Sequence, residues 1–334
     1  MPRRSRFALQ VAVTAALAAF AGGSAQAQQK PAGAAAYPAK QIRFVIPFPP
    51  GGSTDIVARI LQQRLAERLG TQVLIDNRPG ANTIIGTDIV AKAPPDGYTI
   101  LMATSGHSIN PSAYGKLPFD VFRDFTPVVH ATNSANLFAS HPSLPVRNGR
   151  ELIALARSRP GQLNYSSAGL GSVQHLSAEL MGQVAKVSLV HVGYKGGAAS
   201  TLAAMSGEVA LVITGLPALI SHVRGGKLKA VAVTGKERSS LLPDTATMVE
   251  AGYPDLVTYY WLGIMGPAGL PQPIVERING EVNAAMREPA LRERLVKEGG
   301  DPVGGSGQEF DAMWRAEHDR WAKVVKSTGL RLEP

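Results

Sequence analysis

Residues 42–69, with the sequence IRFVIPFPPGGSTDIVARILQQRLAERL, contain the pattern that decides the fold class. The run at 42–48 is short and rich in β-branched and aromatic residues, which predicts a strand. From residue 54 to residue 69 the apolar residues recur at helical spacing, and Gly70 is placed to end that helix. The stretch is therefore typical of a β-strand followed by an α-helix.

The same alternation continues along the chain. We expect a strand at 73–77, a helix at 83–93 and a strand at 98–104. A second run predicts helices at 149–158, 172–186, 197–205 and 217–223, with strands at 162–166, 188–194, 209–214 and 228–234. A strand at 257–265 and helices at 271–287, 289–298 and 307–326 then indicate that the chain returns to cover the first unit.

Alternating units of this kind predict an α/β fold with mainly parallel sheets that are covered by helices on both faces. We expect two lobes, one formed by residues 41–140 together with 258–334 and the other by residues 141–257. The chain would then cross between the lobes twice. In such sheets ligands bind at the carboxyl ends of the strands, so the loops that follow the strands are the places to examine.

The composition excludes several classes of protein. The chain has 334 residues, enough for two domains, and no cysteine, which excludes disulfides, a thiolate nucleophile, Cys-ligated zinc and iron–sulfur clusters. The formal charge is +9, but the first 27 residues carry three arginines and no acid, which leaves 31 bases and 25 acids in the remainder. This excess is dispersed, so we expect no nucleic-acid partner. The excess positive charge either attracts small anions to the protein or reflects lysines that are scattered over the surface and keep the protein soluble.

The N-terminus has the layout of a secretory signal. Arginines at 3, 4 and 6 precede an apolar run at 7–20, and small residues end in Ala25-Gln26-Ala27. The run has 14 residues, whereas a membrane-spanning helix needs about 20. We expect residues 1–27 to be removed on export to the periplasm, residues 28–40 to form a flexible lead-in, and the mature chain not to insert into the membrane. A buried first helix is the alternative, and the arginine pair also permits twin-arginine export.

The loop Pro47-Phe48-Pro49-Pro50-Gly51-Gly52-Ser53-Thr54-Asp55 joins the first strand to the first helix. Its glycines would let backbone N–H groups approach a ligand, and Ser53 or Thr54 is placed to cap the helix. Because a helix N-terminus carries about half a positive charge and several free N–H groups, the loop can bind a carboxylate or a phosphate. From spacing alone it is either such an anion site or a tight turn before a capped helix.

A second loop of the same kind is Tyr165-Ser166-Ser167-Ala168-Gly169-Leu170-Gly171-Ser172, with His175 in the first turn of the next helix. No acid follows at the spacing of a dinucleotide site, so a second anion site fits better than a nucleotide site. The turn Tyr194-Lys195-Gly196-Gly197 is a third such loop, and Ser105-Gly106-His107 follows the last strand of the first unit. Two loops in separate lobes could hold opposite ends of a small molecule.

These loops resemble those of the Bug-type extracytoplasmic solute-binding proteins of tripartite tricarboxylate transporters, and the resemblance extends over essentially the whole mature chain. It rests on ordered motifs: PPGGSTD at 49–55 with Ala58-Arg59, NRPGA at 77–81, PDGYT at 95–99, YSSAGLGS at 165–172 with His175, AVT at 232–234, Arg238-Ser239, LPD at 242–244, and Trp261 before GPAG at 266–269. The resemblance implies a two-lobed fold of the type II periplasmic binding protein kind, with carboxylated solutes bound in the cleft between the lobes.

Carried over position by position, the resemblance implies that the ligand contacts lie in these loops. The implied ligand-binding residues are Phe48, Pro50, Gly51, Gly52, Ser53, Thr54, Asp55, Ser105, His107, Ser166, Ser167, Ala168, Gly171, Ser172, His175, Tyr194, Gly196 and Thr214. Thr214, like Ala210 and Gly215, stands where many relatives carry acidic or amide residues. This difference argues against inferring a ligand that bears an amino group.

The residues do not favour catalysis. The chain has no Gly-x-Ser-x-Gly or HExxH motif, and its seven histidines, at 107, 130, 141, 175, 191, 222 and 318, are scattered. We expect no catalytic residue, no metal site and no cofactor. The resemblance implies a periplasmic receptor that closes on a small organic acid and delivers it to the membrane subunits of a transporter. The alternatives are a ligand sensor for a signalling receptor and a hydrolase or transferase that acts in the same cleft.

Overall fold

Strand β1 (Ile42–Ile46) begins the fold in the computed structural model, which describes residues 37–333. It is followed by α1 (Ser53–Leu69), β2 (Val73–Asn77), α2 (Ile84–Ala91) and β3 (Thr99–Thr104). β1 lies between β2 and β3 and is parallel to both. The βαβαβ order predicted for this part of the chain is confirmed. The predicted signal sequence at 1–27 and most of the predicted lead-in at 28–40 lie outside the described residues.

The segment that follows contains two elements that the sequence patterns did not indicate. Helix α3 (Gly106–Ala113) includes glycine and proline, and it packs against the last helix of the chain. Strand β4 (Phe125–Ser140) is 16 residues long. Its residues 125–135 pair with β9 (Tyr259–Pro267), and its residues 136–140 pair with β7 (Leu211–Gly215). β4 therefore belongs to both halves of the sheet.

The second half alternates as predicted. Its elements are α4 (Gly149–Ser158), β5 (Asn164–Ser167), α5 (Val173–Ala185), β6 (Val190–Gly193), α6 (Gly197–Met205), β7, α7 (Leu216–Arg224) and β8 (Lys229–Val233). Buried side chains fill both faces of this half-sheet. Leu211 and Ile213 of β7 belong to one apolar cluster, and Val212 belongs to the cluster on the opposite face.

The chain then returns to the first half, as expected. β9 is followed by α8 (Gln272–Arg287), α9 (Pro289–Lys297), β10 (Asp301–Gly304) and α10 (Gly307–Thr328). Helices α8 and α9 pack on α1, where the Arg68 guanidinium contacts Glu281 and Glu288, each at 2.8 Å. In residues 37–333 no helix is both long and apolar enough to cross a lipid bilayer.

The strands form the order β2-β1-β3-β9-β4-β7-β5-β6, and β8 and β10 also pair with β4. The α/β fold is confirmed, but the expectation of mainly parallel sheets is wrong. The pairings among the described strands comprise four parallel and five antiparallel ones. The reason is that β4 and β9, which carry the chain between the two halves, run antiparallel to their neighbours.

Candidate functional site

The loop between β1 and α1 is held in place by the Asp55 carboxylate. Its Oδ2 atom accepts hydrogen bonds from the Gly51 backbone N–H at 3.0 Å and from Arg59 Nε at 2.8 Å. Its Oδ1 atom accepts one from Asn77 Nδ2 at 3.0 Å. Burial would raise the pKa of Asp55, but these three donors outweigh it and hold the pKa below its ordinary value. Both carboxylate oxygens of Asp55 therefore hold the loop in its conformation through hydrogen bonds.

The residue that caps α1 is Gly52, so the expectation that Ser53 or Thr54 would be the cap is wrong. Both side chains are buried and form hydrogen bonds outside the helix backbone. Ser53 Oγ donates to the Gly215 carbonyl oxygen at 3.2 Å, and Thr54 Oγ1 is hydrogen-bonded to the Tyr260 hydroxyl. The first bond within the helix runs from Ile56 N to Gly52 O. The N–H groups of the first turn therefore remain available to a ligand.

The N-terminus of α6 lies opposite the N-terminus of α1. A Cβ atom added to Gly52 would lie 3.7 Å from the Gly197 nitrogen and 3.9 Å from the Ala198 nitrogen. Gly196, which caps α6, has φ of +102°, and a Cβ there would lie 3.2 Å from Pro49 Cδ. A residue with a side chain would be strained and crowded at this position. Glycine therefore allows the two helix ends to approach each other.

The space between these helix ends, here named the inner pocket, has a volume of about 20 Å³. Its walls are Phe48, Pro49, Pro50, Gly52, Ser53, Thr54, Ala168, Gln174, Lys195, Gly196, Gly197, Ala198, Thr214 and Tyr260. Gln174 is 3% exposed and Thr214 is 2% exposed. Neither side chain forms a hydrogen bond within the part of the chain that the structure describes. The inner pocket thus offers unpaired polar groups to a ligand.

The electrostatics of the inner pocket favour an anion. Lys195 is the one charged residue among those that line it, and it is exposed. Within residues 37–333 its ammonium group forms no ion pair and no hydrogen bond. Because the N-termini of α1 and α6 add partial positive charge, a carboxylate could be bound there by backbone N–H groups, the Gln174 amide and the Thr214 hydroxyl.

A larger space, here named the outer cavity, adjoins the inner pocket and has a volume of about 680 Å³. The two share Phe48, Pro49, Ala168, Lys195 and Gly196. The other residues around the outer cavity are Pro47, Pro79, Gly80, Ala81, Asn82, Thr83, Tyr114, Gly169, Leu170, Tyr194, Arg331, Leu332 and Glu333. A group bound in the inner pocket can therefore extend into the outer cavity.

Ser105 and His107 lie apart from both spaces. Ser105 Oγ accepts a hydrogen bond from Trp261 N at 2.9 Å, which ties the end of β3 to β9. His107 Nε2 pairs with Thr87 Oγ1 at 2.9 Å. Burial lowers the pKa of His107 to about 4, although its bond with the Thr104 backbone acts in the opposite direction. Both residues are part of the interior of the first half.

Most of the predicted residues of the second loop hold that loop in place through hydrogen bonds within the protein. Ser166 Oγ donates to the Ser200 carbonyl oxygen at 2.9 Å, and Ser167 Oγ lies 2.7 Å from His191 Nε2. Ser172 caps α5 by accepting from His175 N at 3.2 Å. His175 Nδ1 accepts from Gly171 N at 3.2 Å. Among the predicted residues of this loop, Ala168 is the one that lines the inner pocket.

The structure therefore divides the predicted site residues into two groups. Those that line the inner pocket or the outer cavity are Phe48, Pro50, Gly52, Ser53, Thr54, Ala168, Tyr194, Gly196 and Thr214. Those that line neither space are Gly51, Asp55, Ser105, His107, Ser166, Ser167, Gly171, Ser172 and His175. Among residues 37–333 no group of three or more histidine, aspartate or glutamate side chains could hold a metal ion.

Several lining residues were not among those predicted: Gln174, Lys195, Gly197, Ala198 and Tyr260. Lys195 and Gly197 belong to the third loop that the sequence indicated, and Gln174 and Ala198 lie in the first turns of the helices that follow the second and third loops. Tyr260 follows no such pattern, because it lies on β9 and reaches the site through the return of the chain.

Comparisons with known proteins identify relatives of this chain. A family model described as the tripartite tricarboxylate transporter family receptor matches residues 57–330. BugT of Bordetella pertussis is 35% identical over 309 residues, which cover 91% of this chain and 94% of BugT. An R. palustris protein solved with adipate has a TM-score of 0.86 and 37% identity, and the match covers 89% of this chain and 100% of that one. MatC from Rhodopseudomonas palustris, solved with bound malate, has a TM-score of 0.82 and 30% identity, over 86% of this chain and 100% of MatC.

These matches confirm the resemblance found in the sequence and the two-lobed α/β fold. The inner pocket is lined by residues from both halves of the sheet. The chain belongs to the receptor family of tripartite tricarboxylate transporters, whose members are extracytoplasmic solute-binding proteins.

Proposed function

We propose that this receptor binds a small carboxylate-bearing solute between its lobes. The observation that carries the proposal is the inner pocket, where two opposed helix N-termini meet the unpaired side chains of Gln174 and Thr214. A carboxylate would accept hydrogen bonds from these groups and be attracted by Lys195. Bound adipate and malate in two solved relatives support the same class of ligand.

The residues that line the two spaces would contact the ligand, and the others would hold the loops in position. Asp55 orients the first loop through Gly51, Arg59 and Asn77. Ser172 and His175 fix the start of α5, and thereby the place of Gln174. We propose that this second group acts on the ligand through the loop geometry and not by contact.

Ligand binding would accompany a hinge motion of the lobes. We place the first lobe at residues 41–140 and 258–334 and the second at 141–257. The pairing of residues 136–140 with β7 and of residues 137–140 with β8 supports a first hinge within β4. The second hinge would lie near Thr258, whose backbone N–H donates to the Thr234 carbonyl oxygen at 3.0 Å.

The receptor would bind its solute without converting it. The Ser167 hydroxyl lies 2.7 Å from His191 Nε2, an arrangement that a hydrolase could use. Neither residue is among those that line the inner pocket or the outer cavity. A substrate in the cleft would therefore not reach the pair, and binding explains the site better than catalysis.

The receptor would act in the periplasm. The basic start, the short apolar run and the Ala25-Gln26-Ala27 ending support cleavage after residue 27. The exported protein would then begin at Gln28, which intact-mass analysis can check. Its partners would be the membrane subunits of a tripartite transporter, to which it would deliver the bound acid.

Mass spectrometry of small molecules released from the freshly purified receptor tests the function directly. We expect an organic acid in near-equimolar amount. The same compound, added back to the stripped protein, should bind and should be recovered unchanged after prolonged incubation. Recovery of a hydrolysed product would instead indicate an enzyme, and failure of every organic acid to bind would contradict the proposed function.

A further inference from the structure

The inner pocket can hold only the head of a ligand. Its volume is about 20 Å³, and one water molecule already needs about 10–15 Å³ on this measure. With the lobes in the observed contact, the remaining atoms of a bound acid must lie in the outer cavity. Five wall residues are common to the two spaces, so no barrier separates them.

The walls of the outer cavity are chiefly apolar. They include Phe48 and Tyr114 from the first lobe, Leu170 from the second and Leu332 from the C-terminal segment. Leu170 is 50% exposed, one of six large apolar side chains with substantial exposure among the described residues. A ligand with an apolar body would cover it. Apolar contact is therefore the main interaction that these walls can offer.

The side chains of Asn82, Thr83 and Tyr194, which line the outer cavity, already have partners within the protein. Asn82 Nδ2 donates to Asn110 Oδ1 at 2.9 Å, and Thr83 Oγ1 accepts from Asn110 Nδ2 at 3.3 Å. The Tyr194 hydroxyl donates to Glu208 Oε1 at 2.6 Å. A hydroxyl group on the ligand would have to compete with these bonds. The charged residues of the outer cavity, Lys195, Arg331 and Glu333, are all exposed to solvent.

The C-terminal segment completes the wall by touching both lobes. Leu332 N donates to the Ala113 carbonyl oxygen at 2.8 Å in the first lobe. On the side of the second lobe, a Cβ atom at Gly171 would lie only 2.4 Å from Leu332 Cδ1. The absence of a side chain at Gly171 thus makes room for Leu332. This contact and the φ of Gly171, +78°, together account for a glycine at position 171.

We propose that the outer cavity binds the body of the ligand and that this body is apolar, so that the preferred solute is a carboxylate with an aryl or extended alkyl group. The proposal rests on the proposed function, since it assumes that the carboxylate lies in the inner pocket. Leu170 and Leu332 are the residues that select for the body.

Calorimetric titration with acetate, butyrate, hexanoate, phenylacetate and malate tests the proposal. Burial of each added methylene should tighten binding roughly fourfold, so hexanoate should bind far better than acetate. Phenylacetate should resemble hexanoate, and malate should bind more weakly than either. Tighter binding of malate than of hexanoate and phenylacetate, or equal binding of acetate and hexanoate, would overturn the proposal while leaving the proposed function standing.

Substitutions test which residues of the outer cavity contact the apolar body of the ligand. Leu170→Asp should weaken hexanoate binding about tenfold or more, and Leu332→Ala should weaken it less, and in both variants the loss for hexanoate should exceed the loss for acetate. Leu202, 62% exposed on α6 and outside both spaces, provides the matched control. Leu202→Asp should bind hexanoate normally. Normal hexanoate binding by Leu170→Asp would contradict the inference, whereas failure of all acids to bind the unaltered protein would contradict the proposed function.

Discussion

The position that a Cβ atom would occupy on Gly52 lies 3.7 Å from the backbone nitrogen of Gly197, across the cleft between the lobes. Gly52 caps α1, and Gly197 is the first residue of α6. Both helix ends therefore direct N–H groups toward one small space. A side chain in this space would take the place of an anion, which makes Gly52 the most informative position to change.

Gly52→Val should weaken acid binding without unfolding the protein. The φ of Gly52 is −86°, so valine can adopt the backbone conformation without strain, and its methyl groups would fill the inner pocket. We expect the affinity for hexanoate to fall about tenfold or more. The free energy of unfolding should fall by about 1–3 kcal/mol at most, because methyl groups are added at a buried position. Calorimetry and urea denaturation measure the two quantities.

The control for this variant is Gly280→Val, because Gly280 is exposed on α8 and a Cβ there would meet nothing within 4 Å. It should bind hexanoate like the unaltered protein. Normal binding by Gly52→Val would show that the opposed helix ends do not hold the carboxylate.

Asp55→Asn should destabilise the first loop. The change removes the charge that accepts from Gly51, Arg59 and Asn77, and we expect a loss of about 1–3 kcal/mol at neutral pH. Because the pKa of Asp55 in the folded chain lies below 3.8, its contribution is present above that pH and is lost as the pH falls through the lowered pKa. Urea denaturation of both proteins should therefore show a difference that is full at neutral pH and shrinks in acid.

Asp311→Asn removes a surface pair with Arg315 and serves as the control, with an expected effect near zero. A stability difference between the unaltered protein and Asp55→Asn that persists undiminished well below pH 3.8 would contradict this account of the Asp55 carboxylate.

The unfolding free energy of the unaltered protein should fall as the pH drops below 6.5. Burial and the neighbouring His191 lower the pKa of His175 to about 3, and burial lowers that of His191 to about 4. The unfolded chain binds protons on these residues near the ordinary value of 6.5, so acid favours unfolding, by at most about 1.4 kcal/mol per pH unit for each histidine. Urea denaturation at several pH values measures the slope.

His175→Gln keeps an acceptor for Gly171 N and should reduce that slope. Equal slopes for His175→Gln and the unaltered protein would show that His175 does not titrate as its burial predicts.

Ligand should shift the protein toward the conformation in which the lobes touch. Ser53 Oγ donates to the Gly215 carbonyl oxygen at 3.2 Å across the cleft, a bond that exists only when the lobes are close. Small-angle scattering should show a smaller radius of gyration at saturating hexanoate. Ser53→Ala should weaken binding by a factor of about 2–10, because a net hydrogen bond is lost. An unchanged radius, in a protein shown to start open, would rule out the hinge motion.

Helices and strands with a clear hydrophobic periodicity could be predicted from the sequence. Elements that depend on tertiary packing could not. The bounds of α4 (Gly149–Ser158) and α6 (Gly197–Met205) agree with the predicted ones, because each is a regular helix after a strand-to-helix loop or a capping residue. α3 contains glycine, serine and Pro111, and its packing against α10 compensates for weak helix propensity. β4 carries buried Thr132, Ser134 and Asn136, so it lacks the alternation that identifies a strand.

The candidate site was predicted as a set of loops but not as an arrangement. Strand-to-helix spacing identifies loops at the carboxyl ends of strands, yet it does not say which loops face each other. The first and second loops were expected to hold opposite ends of a ligand, and in the structure the residues nearest to a Cβ atom on Gly52 are Gly197 and Ala198, at the junction of the third loop and α6. Which loops face each other depends on how β4 and β9 orient the two lobes, and these strands pair residues that are distant in the sequence.

The central claim is that backbone N–H groups at the two helix ends bind a carboxylate. Thermal unfolding of the unaltered protein with hexanoate and with its methyl ester tests it most directly, since the two compounds differ only at the group in question. At 100 times its dissociation constant the acid should add about 2.7 kcal/mol of stability, and the ester should lose most of that effect. Equal stabilisation by acid and ester would contradict the claim, because the cleft would then recognise its ligand without using the carboxylate.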